Sequence, residues 1–175
     1  MINDDFHTLQ EHIYDICHFK YTYPELEKES IEYSASTFKL NGLRIKSRHS
    51  KITPKKSGQF VTLWKRNPEG VTAAHDILDP VDLFIIHSRK DKSFGQFIFP
   101  KSTLSQYGIV SNNNTIGKRG FRVYPPWDKA ISKQAQKTQK WQLEFFLEIH
   151  NEQTDLVRAK KLYQSPKNFQ TDGCQ

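Results

Sequence analysis

Cysteine is nearly missing from this sequence. Two occur in 175 residues, Cys17 and Cys174, near opposite ends of the chain. No Cys or His stands at metal-ligand spacing around either, which excludes a disulfide framework and a zinc finger. Long apolar runs are absent as well. None approaches the roughly 18 to 20 residues that a bilayer span requires, and MINDDFHTLQ carries acids where a secretory signal would carry a basic and then an apolar stretch. The expectation is a soluble, unexported protein of the reducing cytoplasm. No serine sits in a nucleophile elbow, no glycine-rich phosphate loop is present, and the histidines are too scattered for a triad or a metal pair. Nucleotide hydrolysis by those routes is not expected.

What is present is enough for one core: 36% of residues are hydrophobic and 26% charged, at a length near the usual domain size. The net charge of +7 is segregated. Residues 1–38 hold eight acids against two bases, whereas residues 39–68 hold nine Lys or Arg and no acid. A second block, residues 118–140, sets seven cations against Asp128 alone. Segregation of this kind suggests a face that binds a polyanion, with a solvated basic surface as the plainer alternative.

Periodicity supplies a coarse outline. Phe6, Leu9, Ile13 and Ile16 predict an amphipathic helix from about Asp4 to Phe19. Strands are expected at Ser36–Leu40 and, after the hairpin signal Asn41-Gly42, at LRIK. His49 to Ser57 reads as a basic loop around Pro54, and Gln59 to Trp64 as a strand. The apolar run Val81 to Ile86 marks a central strand buried on both faces, with FGQFIF as another. A short helix near Ser102–Tyr107 with Gly108 as its cap and a strand at Phe121–Tyr124 come next. The stripe Ile131, Ala135, Thr138, Trp141, Phe145 and Ile149 predicts one long helix over 129–150. Residues 151–175 read as a C-terminal extension, helical to about Tyr163 and then frayed, after a single domain at 1–150. The Gly-Gln-Phe openings of SGQFVTLWK and FGQFIFPK read as two strands that begin alike.

The strings SKITPKKSGQFVTLWKR, VDLFIIHS, GQFIFPK, GKRGFRVYPPWD and QAQKTQKWQLEFF, taken in this order, resemble the MepB family over roughly residues 29–146. The resemblance implies an α/β fold in which a central mixed sheet is flanked by helices, a restriction-endonuclease-like core of the PD-(D/E)XK type. It also implies a protein usually encoded beside multidrug efflux genes and without a settled enzymatic role. Such nucleases place an Asp on one central strand and an acid or Gln plus a Lys on the next, around one or two divalent cations. Asp82 is the candidate first acid and metal ligand, with Asp79 second in line. Gln96 stands where the motif wants a carboxylate, and Ile98 where it wants lysine. Lys101, or Lys65 on the preceding strand, is the candidate displaced ammonium, and Glu29 or Glu32 a candidate extra carboxylate. Mg²⁺ or Mn²⁺ is the implied cofactor, held weakly by so depleted a motif. Gln142 and Phe146 share the spacing of a Gln/Tyr pair found near DNA in some such nucleases, without the hydroxyl.

The basic residues carry the stronger functional signal, because each Lys or Arg that neutralises a phosphate releases counterions whatever the base sequence. Candidate nucleic-acid contacts are Arg48, Lys51, Lys55, Lys56, Lys65, Arg66, Lys118, Arg119 and Arg122, with Thr53 and Gln59 as hydrogen-bond donors to phosphate. Phe121, Tyr124 and Trp127 are interleaved with the second basic run, which suits base stacking or, equally, packing against the last helix. The leading expectation is a binder of DNA or RNA on a nuclease-like fold with a degenerate catalytic motif. The alternatives are a metal-dependent nuclease using Asp82, Gln96 and Lys101, and an adaptor whose acidic first segment covers its own basic face or docks a protein partner.

Overall fold

Leu83, Phe84, Ile85 and Ile86 are all fully buried, because both faces of their strand are covered. In the computed structural model, which describes residues 2–164, they open β8 (Leu83–Lys90). This strand lies inside a six-stranded mixed sheet ordered β1 (Glu25–Leu26), β2 (Ser36–Leu40), β3 (Leu43–His49), β8, β9 (Ser93–Pro100) and β11 (Phe146–Glu148). Only the β3–β8 pair is parallel. Alternation along β8 then sorts the core into two layers. Leu83 and Ile85 join Ile45 and Ile98 against the first helical segment and the last, where Leu9, Ile13, Ala159 and Tyr163 are buried. Phe84 and Ile86 join Phe97 and Phe99 on the opposite face, beneath Val61, Leu104, Phe121 and Val123.

The first segment is α1 (Ile2–Leu9), which continues as a π-helical turn over Gln10–Tyr14. It stops short of the expected Phe19, and Ile16 is exposed. The last is α4 (Leu156–Leu162), capped by the Asp155 carboxylate accepting from the Arg158 amide at 2.9 Å. Its Tyr163 lies in the same core as α1. The expected frayed tail and Cys174 lie outside the described residues.

A second sheet covers the other face. Its order is β10 (Gly120–Val123), β5 (Lys56–Thr62) and β4 (Lys51–Thr53), while β6 (Trp64–Arg66) and β7 (Thr72–Ala74) form a separate ribbon. The basic stretch 49–57 is therefore a hairpin rather than a loop, with Thr53 paired to Lys56 across Pro54-Lys55. Pro54 sits in the turn, where its missing N–H costs nothing. The Asn41-Gly42 hairpin forms as read, with φ of 51° and 78°, the double left-handed turn that Asn and Gly tolerate best. α2 (Lys101–Gln106) follows β9, is capped by Tyr107 and is followed by Gly108, whose φ is +69°.

The helix expected over 129–150 divides in two. α3 spans Lys133–Leu143, with the Ser132 hydroxyl accepting from the Ala135 amide at 3.0 Å, and residues 146–148 instead pair with β9 at the sheet edge. Ile131 is exposed. Two residues distant in sequence fix this break. Gly95 lies so close to Phe146 that a Cβ there would come within 2.2 Å of the ring. Arg158 of α4 donates to the carbonyls of Leu143 and Glu144 at 3.0 Å and of Phe146 at 2.7 Å, which satisfies both the helix end and the free edge of β11. Apolar periodicity is blind to both partners.

Candidate nucleic-acid interface

The acids of the N-terminal segment fold back onto the first basic block. Glu27 pairs with Lys46 and, at 2.6 Å, with Arg48, whose side chain is only 1% exposed. Burial pushes the Arg48 guanidinium down and Glu27 opposes that push. Asp5 pairs with Arg89 and meets His49 Nε2 at 2.9 Å; burial would raise its pKa, but these two hydrogen-bond donors hold it at about 2. On the surface, Glu29 approaches Arg66 at 3.7 Å and Glu32 approaches Lys51 at 3.9 Å. Lys65 pairs with Asp79. Of the cations singled out from sequence, Arg48 is thus a core residue, Lys65 and Arg66 serve ion pairs, and Lys51 is partly engaged and lies over the Tyr33 ring. Gln59 is fully buried, accepting from the Ser50 hydroxyl at 2.7 Å and donating to the Arg89 carbonyl at 3.2 Å, so it faces no phosphate.

The nuclease candidates separate in the same way. Asp82 precedes β8, and Arg44 holds both of its oxygens, Nε donating to Oδ2 and Nη2 to Oδ1, each at 3.0 Å. The Arg44 amide adds a third bond at 2.7 Å. These hydrogen bonds outweigh burial and keep the Asp82 carboxyl below its usual range. Lys101 opens α2 and donates to the Asp79 carbonyl at 2.7 Å, so Asp79, Asp82 and Lys101 gather at one end of the β8–β9 pair. Gln96 lies five residues before Lys101, about 17 Å away at strand rise, and opposite His87 rather than Asp82. It is buried, donating to His87 Nδ1 at 3.2 Å and accepting from the Tyr163 hydroxyl. Among the described residues no group of three or more His, Cys, Asp or Glu could hold a metal. A carboxylate already chelated by guanidinium, with an amide buried elsewhere, does not fit Mg²⁺ or Mn²⁺, which need free oxygen ligands converging on one point.

What remains open comes together elsewhere. β10 pairs with β5 so that Arg122 faces Phe60 and Gly120 faces Thr62, which brings the two basic blocks side by side. Phe121 and Val123 point into the core, as alternation requires, and Arg122 points away from it. Among the described residues the outer edge of β10 has no strand partner, and α3 stands across from it. Gln142, fully buried on α3, clamps this edge: its Oε1 accepts from the Tyr124 amide and its Nε2 donates to the Arg122 carbonyl, both at 2.9 Å. Gln139 likewise donates to the carbonyls of Pro125 at 3.0 Å and Asp128 at 2.9 Å, and Trp127 packs edge-on against Phe146 at 5.5 Å. Trp127 is thus a packing residue.

Between β10 and α3 lies a cleft of about 500 Å³ whose lining holds Lys56, Lys118 and Arg122 and no carboxylate. Arg122 is fixed but not neutralised, since its partners are the Thr53 hydroxyl at 2.6 Å and the carbonyls of Ser57 and Gly58 at 3.3 Å. Tyr107 and Trp141 form the rim toward a second hollow of about 430 Å³ that adds Lys137 and Lys140 against one acid, Glu144. Gly58, at φ +73°, keeps the hairpin beside the Tyr124 ring, where a Cβ would come within 2.6 Å. Tyr107 carries no local sequence signal, and Lys137 and Lys140 line the second hollow from α3. A basic surface over 118–140 was legible, but its cleft was not.

A mixed six-stranded sheet covered by helices on one face and by a second sheet and helices on the other defines an α/β protein, here with a basic cleft at the edge of the second sheet. Residues 27–148 match the MepB-like family model, and the chain belongs to that family. A solved structure described as the crystal structure of MepB is similar to it, at 34% identity and a TM-score of 0.71, covering 73% of this chain and 86% of that one. No curated protein matches this chain. Among the described residues, no helix is long and apolar enough to cross a membrane.

Proposed function

We propose that the protein binds nucleic acid through the phosphate backbone in the cleft between β10 and α3. The observation that carries this reading is the convergence of Lys56, Lys118 and Arg122 from both basic blocks around about 500 Å³ that no carboxylate lines. Among the described residues no acid pairs with Lys56 or Lys118, so both retain uncompensated charge for phosphate oxygens. Lys55 and Arg119 are exposed on either side. The restriction-endonuclease-like plan implied by the family resemblance belongs to this reading. So does a cytoplasmic location, where the polyanion is found. Hydrolysis through Asp82, Gln96 and Lys101 has less support, because Arg44 occupies the acid and Gln96 lies elsewhere. An adaptor that docks a basic partner through its N-terminal segment also has less support, since Asp5 and Glu27 of that segment are engaged within the chain.

The test is fluorescence anisotropy with labelled DNA and RNA at low salt, with probe length checked on a gel. Lys56→Glu combined with Lys118→Glu should lower affinity at least about tenfold for every base sequence, because both substitutions reverse charge at phosphate-facing positions. Unchanged affinity in the double variant removes the cleft from the reading. Shortened probes with the wild-type protein but not with Asp82→Ala would instead establish the nuclease.

A further inference from the structure

We infer that the cleft takes a single strand with unpaired bases rather than a duplex, a conclusion that rests on the binding reading above and adds to it the form of the ligand. The rim of the cleft is an aromatic platform. Tyr107 lies flat on Trp141, ring centroids 3.9 Å apart and planes within 6°, and Trp141 is braced from the core by Phe99 at 5.5 Å. Tyr107 remains 42% exposed and borders both hollows, so a planar group entering either one meets a ring already held in place. Every base has a π-face that can stack on such a ring, and cations on both sides can track the backbone between successive bases.

A second platform extends the path. Beyond Gly120 lies a hollow of about 320 Å³ bordered by Phe60 and Trp64, with Arg119 at its rim donating to the Thr72 hydroxyl at 3.1 Å. Gly120 borders both this hollow and the main cleft. It is also the position where a Cβ would come within 2.7 Å of the Phe60 ring, so glycine keeps that ring and the passage in place. Each hollow thus sets a cation beside an aromatic surface: Arg119 with Phe60 and Trp64, Lys118 with Tyr107, and Lys137 with Trp141. A duplex does not match this arrangement. Its bases are stacked inward, it offers Tyr107 no free face, and a concave space of this size suits a few unpaired residues better than a paired helix.

The experiment compares three probes of equal charge on the full chain: an oligothymidylate of about twelve nucleotides, an abasic oligomer of the same length, and a hairpin duplex. The wild-type protein should bind oligothymidylate at least about tenfold tighter than either of the others, with quenching of tryptophan fluorescence that the abasic probe does not produce. Tyr107→Ala should bring oligothymidylate to the abasic level and leave the abasic affinity and its salt slope unchanged. Tyr107→Phe should retain the preference, because the stacking surface survives. Equal wild-type affinity for oligothymidylate and abasic probes, or an equal loss on all three probes in Tyr107→Ala, overturns the inference and leaves backbone binding standing. Absence of binding to every probe at low salt overturns both. Because Tyr107 is on the surface, a folded variant is expected, and an unchanged circular dichroism melt verifies it.

Discussion

Salt dependence offers the most direct quantitative check on the cleft. Lys56, Lys118 and Arg122 line one half, and Lys137 and Lys140 the other. If all five neutralise phosphates on a single strand, log K should fall with log salt at a slope near −3.5, from about 0.7 per cation. Between 50 and 200 mM salt that is a loss of roughly a hundredfold. Replacing Lys56 and Lys118 with alanine should bring the slope to about −2 and the loss over the same range to about twentyfold. Neither lysine packs in the core, so stability should change by less than about 0.5 kcal/mol. The assay is anisotropy at four or more salt concentrations, with a urea melt of each variant as control. A wild-type slope near zero, or an unchanged slope in the double variant, would refute the assignment of phosphate contacts to this cleft. A slope that falls equally in Lys20→Ala, a lysine on the opposite helical layer before β1, would show that bulk charge rather than the cleft is responsible.

Three further outcomes follow from the packing. Gly95→Ala should destabilise by about 1–3 kcal/mol in a urea melt, because the methyl group collides with Phe146 and lifts β11 from β9; an unchanged midpoint would contradict the paired edge. Glu27→Gln should cost about 3–5 kcal/mol by leaving buried Arg48 without its counter-ion, whereas Glu27→Gln with Arg48→Met should recover most of that loss. Equal destabilisation in the single and double variants would mean that the pair is not coupled. On acidification, Asp5 contributes stability that is fully present above its ordinary pKa of 3.8 and is lost as pH falls toward about 2. Asp5→Asn should remove roughly 2 kcal/mol of that dependence, measured as the flattening of urea midpoint against pH below 4.

Local pattern was enough where the partner was local or the burial complete. The run at Val81–Ile86 announced a central strand because both faces of β8 are covered, and Asn41-Gly42 set its hairpin because two left-handed residues in succession admit few alternatives. The boundary after Leu143 was hidden, since residues 145–149 keep helical spacing while Gly95 and Arg158, far away in the chain, decide for a strand. Asp82, read as opening the central strand, lies one residue before it, and its chemistry depends on Arg44, which arrives from β3.

Sequence by itself determined the segregation of charge, the two-faced central strand and the family, each of which depends on composition, short-range order or runs of matching residues. Tertiary structure alone decided which cations are free. Ion pairing needs acid and base within a few ångströms, and the fold carries Glu27 onto Arg48 and Asp79 onto Lys65 while leaving Lys56 and Lys118 open. The proposed binding face is therefore what remains after the chain has neutralised itself, and that remainder is fixed by distance in space rather than order along the chain.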